Sequence, residues 1–344
     1  MVETSVRRRP ALGLMALLGL SVLSPFKLPV GGARADVVPG PGSILAPVSR
    51  QAGWLNLEAP RPRPITNLPP PAYVTDLSVP PSGLSAALAV QQPLNGRGEL
   101  GGDLLRLDLS TGALSSLLPR GGADESLGAP VWRFDGSAVL YQREDVRGPA
   151  TAYPGQGSVR YPSRVEQVQA DGSARTVLVE DGRQPAPSPD GTQLAYLRSS
   201  VAGTALLMRT VGGTDDRELV PVARFPDLAY PRFSPRGDQI AFVAAALFVG
   251  GRGLSSLLPF GPGIALAHGL PWDVWLVGLD GSAPRLLATL GGDDASLVWS
   301  PDGSQVFVYG GSGSAIIDVS SGEVASYSYL AGYGATAWLP IEVP

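Results

Sequence analysis

The stretch VWSPDGSQVFVYG, residues 298–310, places a tight turn between two apolar segments, and related stretches occur earlier in the chain. PAPSPDGTQLAYLR at 185–198 and YPRFSPRGDQIAFV at 230–243 carry the same type of turn. Proline presets φ at the first central position, and the final glycine supplies the positive φ with which the chain enters the next strand. We interpret each S-P-x-G as a β-hairpin turn whose aspartate, where present, has a structural role.

The turn recurs along most of the chain. Five segments share the order short strand, turn and apolar strand, and they align on Gly83, Gly136, Gly191, Gly237 and Gly303. A truncated sixth copy, GATAWLP, occupies 334–340. Each of the five is followed by a second strand–turn–strand pattern, so one repeat contains four strands. Four-stranded units that repeat at intervals of about 40–50 residues, with insertions, are typical of a β-propeller.

Two of these segments also resemble a known family. VWSPDGSQVFVYG and FSPRGDQIAFV are similar to the W-S-P-D-G repeat of TolB-like, WD-repeat-like propellers. The resemblance covers about residues 72–340 and implies an all-β fold, a six-bladed β-propeller of four-stranded blades. TolB proteins have an additional N-terminal α/β domain, and residues 36–71 are too few to form it. The resemblance therefore implies the propeller part alone.

Five repeats and a C-terminal half repeat leave the ring open unless another segment supplies strands. AGWLNLEAPRPRPITNL, residues 52–68, has the apolar pattern of outer strands. Because an open ring would expose unpaired strand edges, we predict that N- and C-terminal strands pair to close the sixth blade. Trp54 and Leu57 are then expected to pack against Trp338 and Leu339. The predicted division is an N-terminal segment with closing strands and a Pro-rich connector (36–71), then the propeller (72–344).

The first 35 residues have a different pattern. Three arginines at 7–9 precede the apolar run ALGLMALLGLSVL at 11–23, and Ala33-Arg34-Ala35 forms an A-x-A cleavage signal. This pattern predicts a secretory signal peptide and a periplasmic or secreted protein. An uncleaved N-terminal anchor is the alternative. Cleavage after Ala35 would remove five basic residues and one acidic residue, which changes the formal net charge from −4 to −8.

Composition argues against several classes of function. An acidic chain without a basic stripe argues against a nucleic-acid partner. The absence of cysteine excludes disulfides and thiolate catalysis, and a single histidine excludes a two-histidine metal site. Nucleophile-elbow, Walker and dinucleotide-binding motifs are also missing from the sequence. We therefore expect a non-enzymatic protein without a cofactor or metal. A carboxylate-based hydrolase or lyase is the alternative.

Aspartates recur at one position of the repeat. Asp181, Asp227 and Asp293 each lie ten residues before their turn glycine, and Asp294 follows the last of them. With strands A to D counted outward from the centre, these residues fall on the face that carries the B–C and D–A connections. The functional hypothesis is a mouth that binds a cation or a basic partner. The alternative is that each aspartate bonds the backbone of its own loop.

Two long B–C insertions lie on the same predicted face, at 145–163 and 247–272. Tyrosine and arginine are enriched at binding hot spots, and exposed apolar loops mark contacts with partners or membranes. An ordinary loop, a plug over the channel or extra packing is the alternative. The candidate partner-binding residues are Arg147, Tyr153, Arg160, Tyr161, Phe248, Leu257, Phe260, His268 and Trp272.

These features predict an exported, monomeric propeller that acts as a protein-interaction or scaffold module in the cell envelope. Its expected partner is an unidentified envelope protein or lipoprotein. Besides the carboxylate-based enzyme, a second alternative is a protein that docks peripherally to a membrane surface through the 247–270 loop.

Overall fold

The hairpin turns build an all-β structure. The computed structural model describes residues 43–58, 61–94, 97–152, 159–225, 227–245, 272–292 and 294–339. Within these ranges every regular element is a β-strand, and no helix is long and apolar enough to cross a membrane. In chain order the strands are β1 Ile44–Val48, β2 Gln51–Leu55, β3 Arg63–Pro64, β4 Tyr73–Ser78, β5 Ser85–Leu94, β6 Arg97–Asp108, β7 Leu114–Leu118, β8 Glu125–Trp132, β9 Ala138–Asp145, β10 Thr151–Ala152, β11 Val159–Arg160, β12 Ser163–Gln169, β13 Thr176–Val179, β14 Arg183–Pro187, β15 Gln193–Ser200, β16 Gly203–Thr210, β17 Arg217–Val220, β18 Leu228–Phe233, β19 Gln239–Ala245, β20 Trp272–Gly278, β21 Arg285–Gly292, β22 Ser296–Trp299, β23 Gln305–Gly310, β24 Gly313–Asp318, β25 Val324–Tyr327 and β26 Ala337–Trp338.

The strands form six antiparallel four-stranded sheets, which are the blades of a propeller. From the centre outward they are blade 1 (β4-β5-β6-β7), blade 2 (β8-β9-β12-β13), blade 3 (β14-β15-β16-β17), blade 4 (β18-β19-β20-β21), blade 5 (β22-β23-β24-β25) and blade 6 (β26-β1-β2-β3). The short β10-β11 ribbon is inserted between β9 and β12. Innermost strands contact one another from blade 1 to blade 6, and β1 and β2 of blade 6 contact β4 of blade 1. The prediction of a six-bladed β-propeller is therefore confirmed.

The turn at Ser188–Gly191 shows why the repeat keeps its sequence. The Gly191 amide donates to the Ser188 carbonyl at 3.0 Å, and Gly191 has a φ of 71°. Asp190 accepts hydrogen bonds from the Ser188 hydroxyl at 2.6 Å and the Thr192 amide at 3.0 Å. The aspartate therefore bonds its own turn, as the sequence predicts, and the turn of blade 5 repeats these contacts.

Blade 6 closes the ring with strands from both ends of the described chain. β1 pairs with β26, so that Ile44 lies opposite Trp338 and Leu45 lies opposite Ala337. Trp54 and Leu339 share one core cluster, while Leu57 and Trp338 share another. The closure prediction is confirmed. The strand that pairs with the C-terminal segment begins at Ile44, N-terminal to the predicted stretch 52–68.

The core lies between the blades. Each of six hydrophobic clusters combines side chains from two adjacent blades, and together they cover all six blade interfaces. Because an inner strand is covered on both faces, its apolar residues run almost without interruption. β5 shows this in Ala86–Val90, all of which are buried.

Candidate functional site

The innermost strands carry an irregularity at a constant position in the repeat. β4, β8, β14 and β18 each shift register against the next strand, as a β-bulge does. Ala129, Gln184 and Tyr230 lie at this bulge with φ values of 47°, 46° and 51°. Each is seven residues before its turn glycine, and Asp76 occupies the same position in blade 1. A bulge redirects a side chain, so this position determines which groups line the channel.

Two of these side chains meet across the channel. The Tyr230 hydroxyl of blade 4 lies 3.5 Å from Asp76 Oδ1 of blade 1, the opposite blade of the ring. Asp76 Oδ1 also accepts a hydrogen bond from the Ala335 amide at 2.8 Å. The Arg232 guanidinium lies 6.0 Å from the centroid of the Tyr230 ring. We call Asp76, Tyr230 and Arg232 the channel waist.

The channel waist is deeply enclosed, and enclosure penalises charge. Burial raises the pKa of Asp76, although the Ala335 amide and the positive charge of Arg232 oppose this effect. Burial and the charge of Asp76 raise the pKa of the Tyr230 hydroxyl well above its ordinary value. The tyrosine therefore stays neutral and can donate to Asp76.

A cavity of about 360 Å³ lies on the face formed by the starts of the innermost strands, which we call the loop face. The opposite face carries the S-P-x-G turns, and we call it the turn face. The loop-face cavity contains four predicted site residues, Arg160, Asp227, Trp272 and Asp294. Its remaining lining residues are Arg183, Gln184, Ala229, Tyr230, Ala295, Tyr333 and Gly334.

Asp227 is the charged centre of this cavity and is only 2% exposed. Its carboxylate forms ion pairs with Arg183 of blade 3, at 3.3 Å, and with Arg160 of the β10-β11 ribbon. It also accepts hydrogen bonds at 2.8 Å from the Thr204 hydroxyl and the Leu228 amide. Two guanidinium groups thus converge on one carboxylate, which holds three parts of the chain together. The described residues contain no cluster of three side chains suited to a metal ion.

The other predicted acidic residues have different surroundings. Asp181 is exposed, lies 3.4 Å from Arg198 Nε and is outside the cavity lining. Asp294 is exposed at the cavity and has a φ of 47°. Asp293 lies outside the described residues. The structure therefore brings Asp227 and Asp294 to one cavity but leaves Asp181 outside it.

The predicted partner-binding residues are also divided. Arg147 is exposed and pairs with exposed Asp124, outside the cavity lining. Arg160 lines the cavity, and the next residue, Tyr161, is half-buried. Trp272 is 4% exposed, because it packs in the core between blades 4 and 5, and it also lines the cavity. Tyr153, Phe248, Leu257, Phe260 and His268 lie outside the described residues.

Several site residues were missed by the sequence analysis. Gln184 Oε1 accepts a hydrogen bond from the backbone N–H of Tyr230 at 2.7 Å. The backbone N–H of Gln184 donates to Gln142 Oε1 at 3.2 Å. These bonds join blades 2, 3 and 4 beside the cavity. The sequence did contain a signal for some of them. The residue seven positions before the turn glycine is polar in three repeats, where it is Asp76, Gln184 or Tyr230. Tyr333 gave no such signal, and it is 57% exposed at the cavity.

No protein-family model matches the sequence, and a comparison with curated proteins finds no match. Solved structures do match. TolB from Acinetobacter baumannii aligns with a TM-score of 0.60 and 15% identity, over 87% of this chain and 67% of that chain. A putative TolB from Agrobacterium tumefaciens aligns with a TM-score of 0.52 and 14% identity, over 88% of this chain and 99% of that chain.

A chain of a nidogen/laminin complex also aligns, with a TM-score of 0.59 and 12% identity, over 87% of this chain and 99% of that chain. At these identities the likeness establishes the fold alone. Together with the six blades and the closed ring, it shows that this chain has the TolB-like six-bladed β-propeller fold.

Proposed function

We propose that this protein is an exported TolB-like propeller that binds an envelope protein or lipoprotein through its loop face. The observation that carries the proposal is the loop-face cavity. There Arg160, Trp272 and Tyr333 surround the buried charge of Asp227. Arginine, tryptophan and tyrosine are the residue types that contribute most to binding hot spots. Tyr333 is the exposed aromatic group among them and is the expected point of first contact.

The polar groups of the cavity are held in place before a partner arrives. Asp227 engages both arginines, and Arg183 also donates to the Ser199 hydroxyl at 2.7 Å. A rigid binding surface loses little conformational entropy on association. This arrangement supports recognition by a preformed surface.

The same contacts give less support to a carboxylate-based hydrolase. Asp227 is engaged by two guanidinium groups, so it is a weak candidate for a general base. Burial raises the pKa of Glu144, as a general acid requires, but Glu144 is not among the residues that line the cavity. The membrane-docking alternative rests on residues 247–270, which lie outside the described residues. Deletion of that loop followed by a vesicle-binding assay tests it.

Site-specific photo-crosslinking tests the proposed face. Tyr333 is replaced by p-benzoylphenylalanine, and the matched control carries the same replacement at Phe134, which is 37% exposed among the lining residues of the turn face. Irradiation of cells is expected to give one discrete adduct from position 333, and Arg160→Ala should weaken it. An adduct from position 134 alone would place the partner on the turn face and contradict the proposal.

Export is tested separately. The proposal expects the protein in the periplasm or the medium with Asp36 as its first residue, as determined by N-terminal sequencing. A membrane-bound protein that retains residues 1–35 would favour the anchored alternative.

A further inference from the structure

A second cavity, of about 340 Å³, lies at the turn face of the channel, and all six blades contribute to its lining. Its wall is mainly apolar and includes Trp132, Phe134, Pro235, Val298, Trp299 and Trp338. A cavity of roughly 300–1,000 Å³ with apolar and aromatic walls and few polar groups is typical of small-molecule sites. The turn-face cavity has the size and the walls of such a site.

Arg232 places a positively charged side chain in the wall of this mainly apolar cavity. Its side chain lines the cavity, and its Nη1 donates to the Pro231 carbonyl at 2.8 Å. Guanidinium has five N–H donors, and within the described part of the chain no other acceptor and no carboxylate within 4.0 Å engages them. Asp76 acts on Arg232 only through longer-range attraction. The guanidinium therefore retains donors that can bind a further acceptor.

The wall also contains two polar groups with unmet hydrogen bonds. Trp132 Nε1 and Thr336 Oγ1 are buried, and neither has a hydrogen-bond partner among the described residues. In contrast, Trp299 Nε1 donates to the Arg232 carbonyl at 2.9 Å. A buried polar atom without a partner costs about 1–3 kcal/mol, and native structures hold few of them. Both atoms belong to residues that line the cavity, so a ligand there would lie beside them.

We propose that the turn-face cavity binds a small amphipathic carboxylate. Its apolar body packs against the tryptophan and proline walls, and its carboxylate accepts hydrogen bonds from the Arg232 guanidinium. Charge complementarity selects this class, because Arg232 is the one charged residue among the lining residues of the described chain. Arginine binds carboxylates with paired, charge-assisted hydrogen bonds, which are strengthened away from water.

Three ligands of equal chain length test the proposal on the purified full chain at pH 7. Octanoate, octanol and octylammonium are titrated by calorimetry and by tryptophan fluorescence, since three tryptophans line the cavity. Octanoate is expected to bind about tenfold more tightly than octanol, as one charge-assisted interaction predicts, and octylammonium is expected to bind more weakly than both. Equal binding of the three, or no binding of octanoate, would overturn the proposal.

Variants locate the site. Arg232→Gln should lose the preference for octanoate, and Val298→Phe should weaken all binding by filling the cavity. The matched control is Arg236→Gln, at an exposed arginine in the turn of the same blade, and this variant should bind octanoate as the wild type does.

Thermal melts establish whether each variant folds. If Arg232→Gln does not fold, the ligand series on the wild-type protein still decides the proposal. Retained preference in Arg232→Gln contradicts the proposal.

Discussion

Two aspartates at the same repeat position have different roles. Asp227 is buried and has four partners among the described residues, which come from its own blade, from blade 3 and from the β10-β11 ribbon. Asp181 has a side chain that is 71% exposed and pairs with Arg198. The repeat position is identical, so the neighbours supplied by adjacent blades determine the role.

Removing these two carboxylates should therefore have unequal effects. Asp227→Ala leaves two guanidinium groups without their counter-ion and should cost about 3–5 kcal/mol of unfolding free energy. Asp181→Ala removes an exposed ion pair and should cost less than about 1 kcal/mol. Urea denaturation measures both. Equal losses of unfolding free energy would show that the contacts of Asp227 stabilise the fold no more than the exposed ion pair of Asp181 does.

Asp76 gives a prediction about pH. Because burial raises its pKa in the folded state, the folded protein binds more protons than the unfolded chain above the ordinary pKa of about 3.9. Wild-type stability therefore falls as pH rises from that value through the raised pKa. Asp76→Asn removes this loss and keeps an acceptor for the Ala335 amide. Its stability relative to wild type should increase with pH across this window.

Asp216→Asn is the control of opposite sign. Burial acts to raise the pKa of Asp216, but hydrogen bonds that involve Arg209, Tyr196 and Arg198 outweigh it and lower the pKa to about 2. This carboxylate stabilises the fold above about pH 3.9, and the stabilisation is lost as pH falls through about 2. Asp216→Asn should therefore be the less stable protein at neutral pH. Parallel pH profiles for the two variants would contradict at least one of the two assignments.

At the scale of the element, turns and bulges differ in how well sequence predicts them. The S-P-D-G turns are local, and proline, aspartate and glycine each satisfy a requirement of the turn itself. The bulges of the inner strands place Ala129, Gln184 and Tyr230 at positive φ, which alanine and tyrosine disfavour. Such strain persists only where the surrounding structure imposes it. The packing of the inner strands around one channel imposes these positive φ values, and no short sequence motif encodes that packing.

Blade 6 gives a prediction about closure. A chain that ends at Gly334 lacks β26, which leaves the edge of β1 unpaired and removes the packing of Trp338 and Leu339. Loss of these side chains should cost roughly 5 kcal/mol or more, and the melting temperature should fall by roughly 10 °C. A chain that ends at Leu339 retains β26 and is the control. Equal melting temperatures would show that the pairing does not contribute to stability.

At the scale of the whole molecule, the ring makes the blades interdependent. Each blade contributes side chains to two interface clusters, one with each neighbour. An open array of repeats can unfold from its ends, whereas a closed ring has no terminal blade. We therefore expect the propeller to unfold as one unit.

Core truncations in distant blades test this expectation. Leu88→Ala in blade 1 and Phe242→Ala in blade 4 each empty a fully buried position and should cost about 2–5 kcal/mol. Both should shift one transition, with coincident curves from circular dichroism and tryptophan fluorescence. Val201→Ala, at a residue that is 76% exposed, is the control and should change stability by less than about 0.5 kcal/mol. If two unfolding transitions are observed and each variant shifts only one of them, the propeller does not unfold as a single cooperative unit.

The sequence by itself determined the four-stranded repeat, the propeller class and the closure of the ring by both ends. These features depend on local turn chemistry and on the periodicity of apolar residues, which a single chain displays directly. Only the tertiary structure decided which polar groups meet. Tyr230 reaches Asp76 across 154 residues of sequence, and Arg160 and Arg183 converge on Asp227 from two other parts of the ring. Such contacts depend on the number of blades and on the bulges that turn inner side chains toward the channel, so no stretch of sequence contains them.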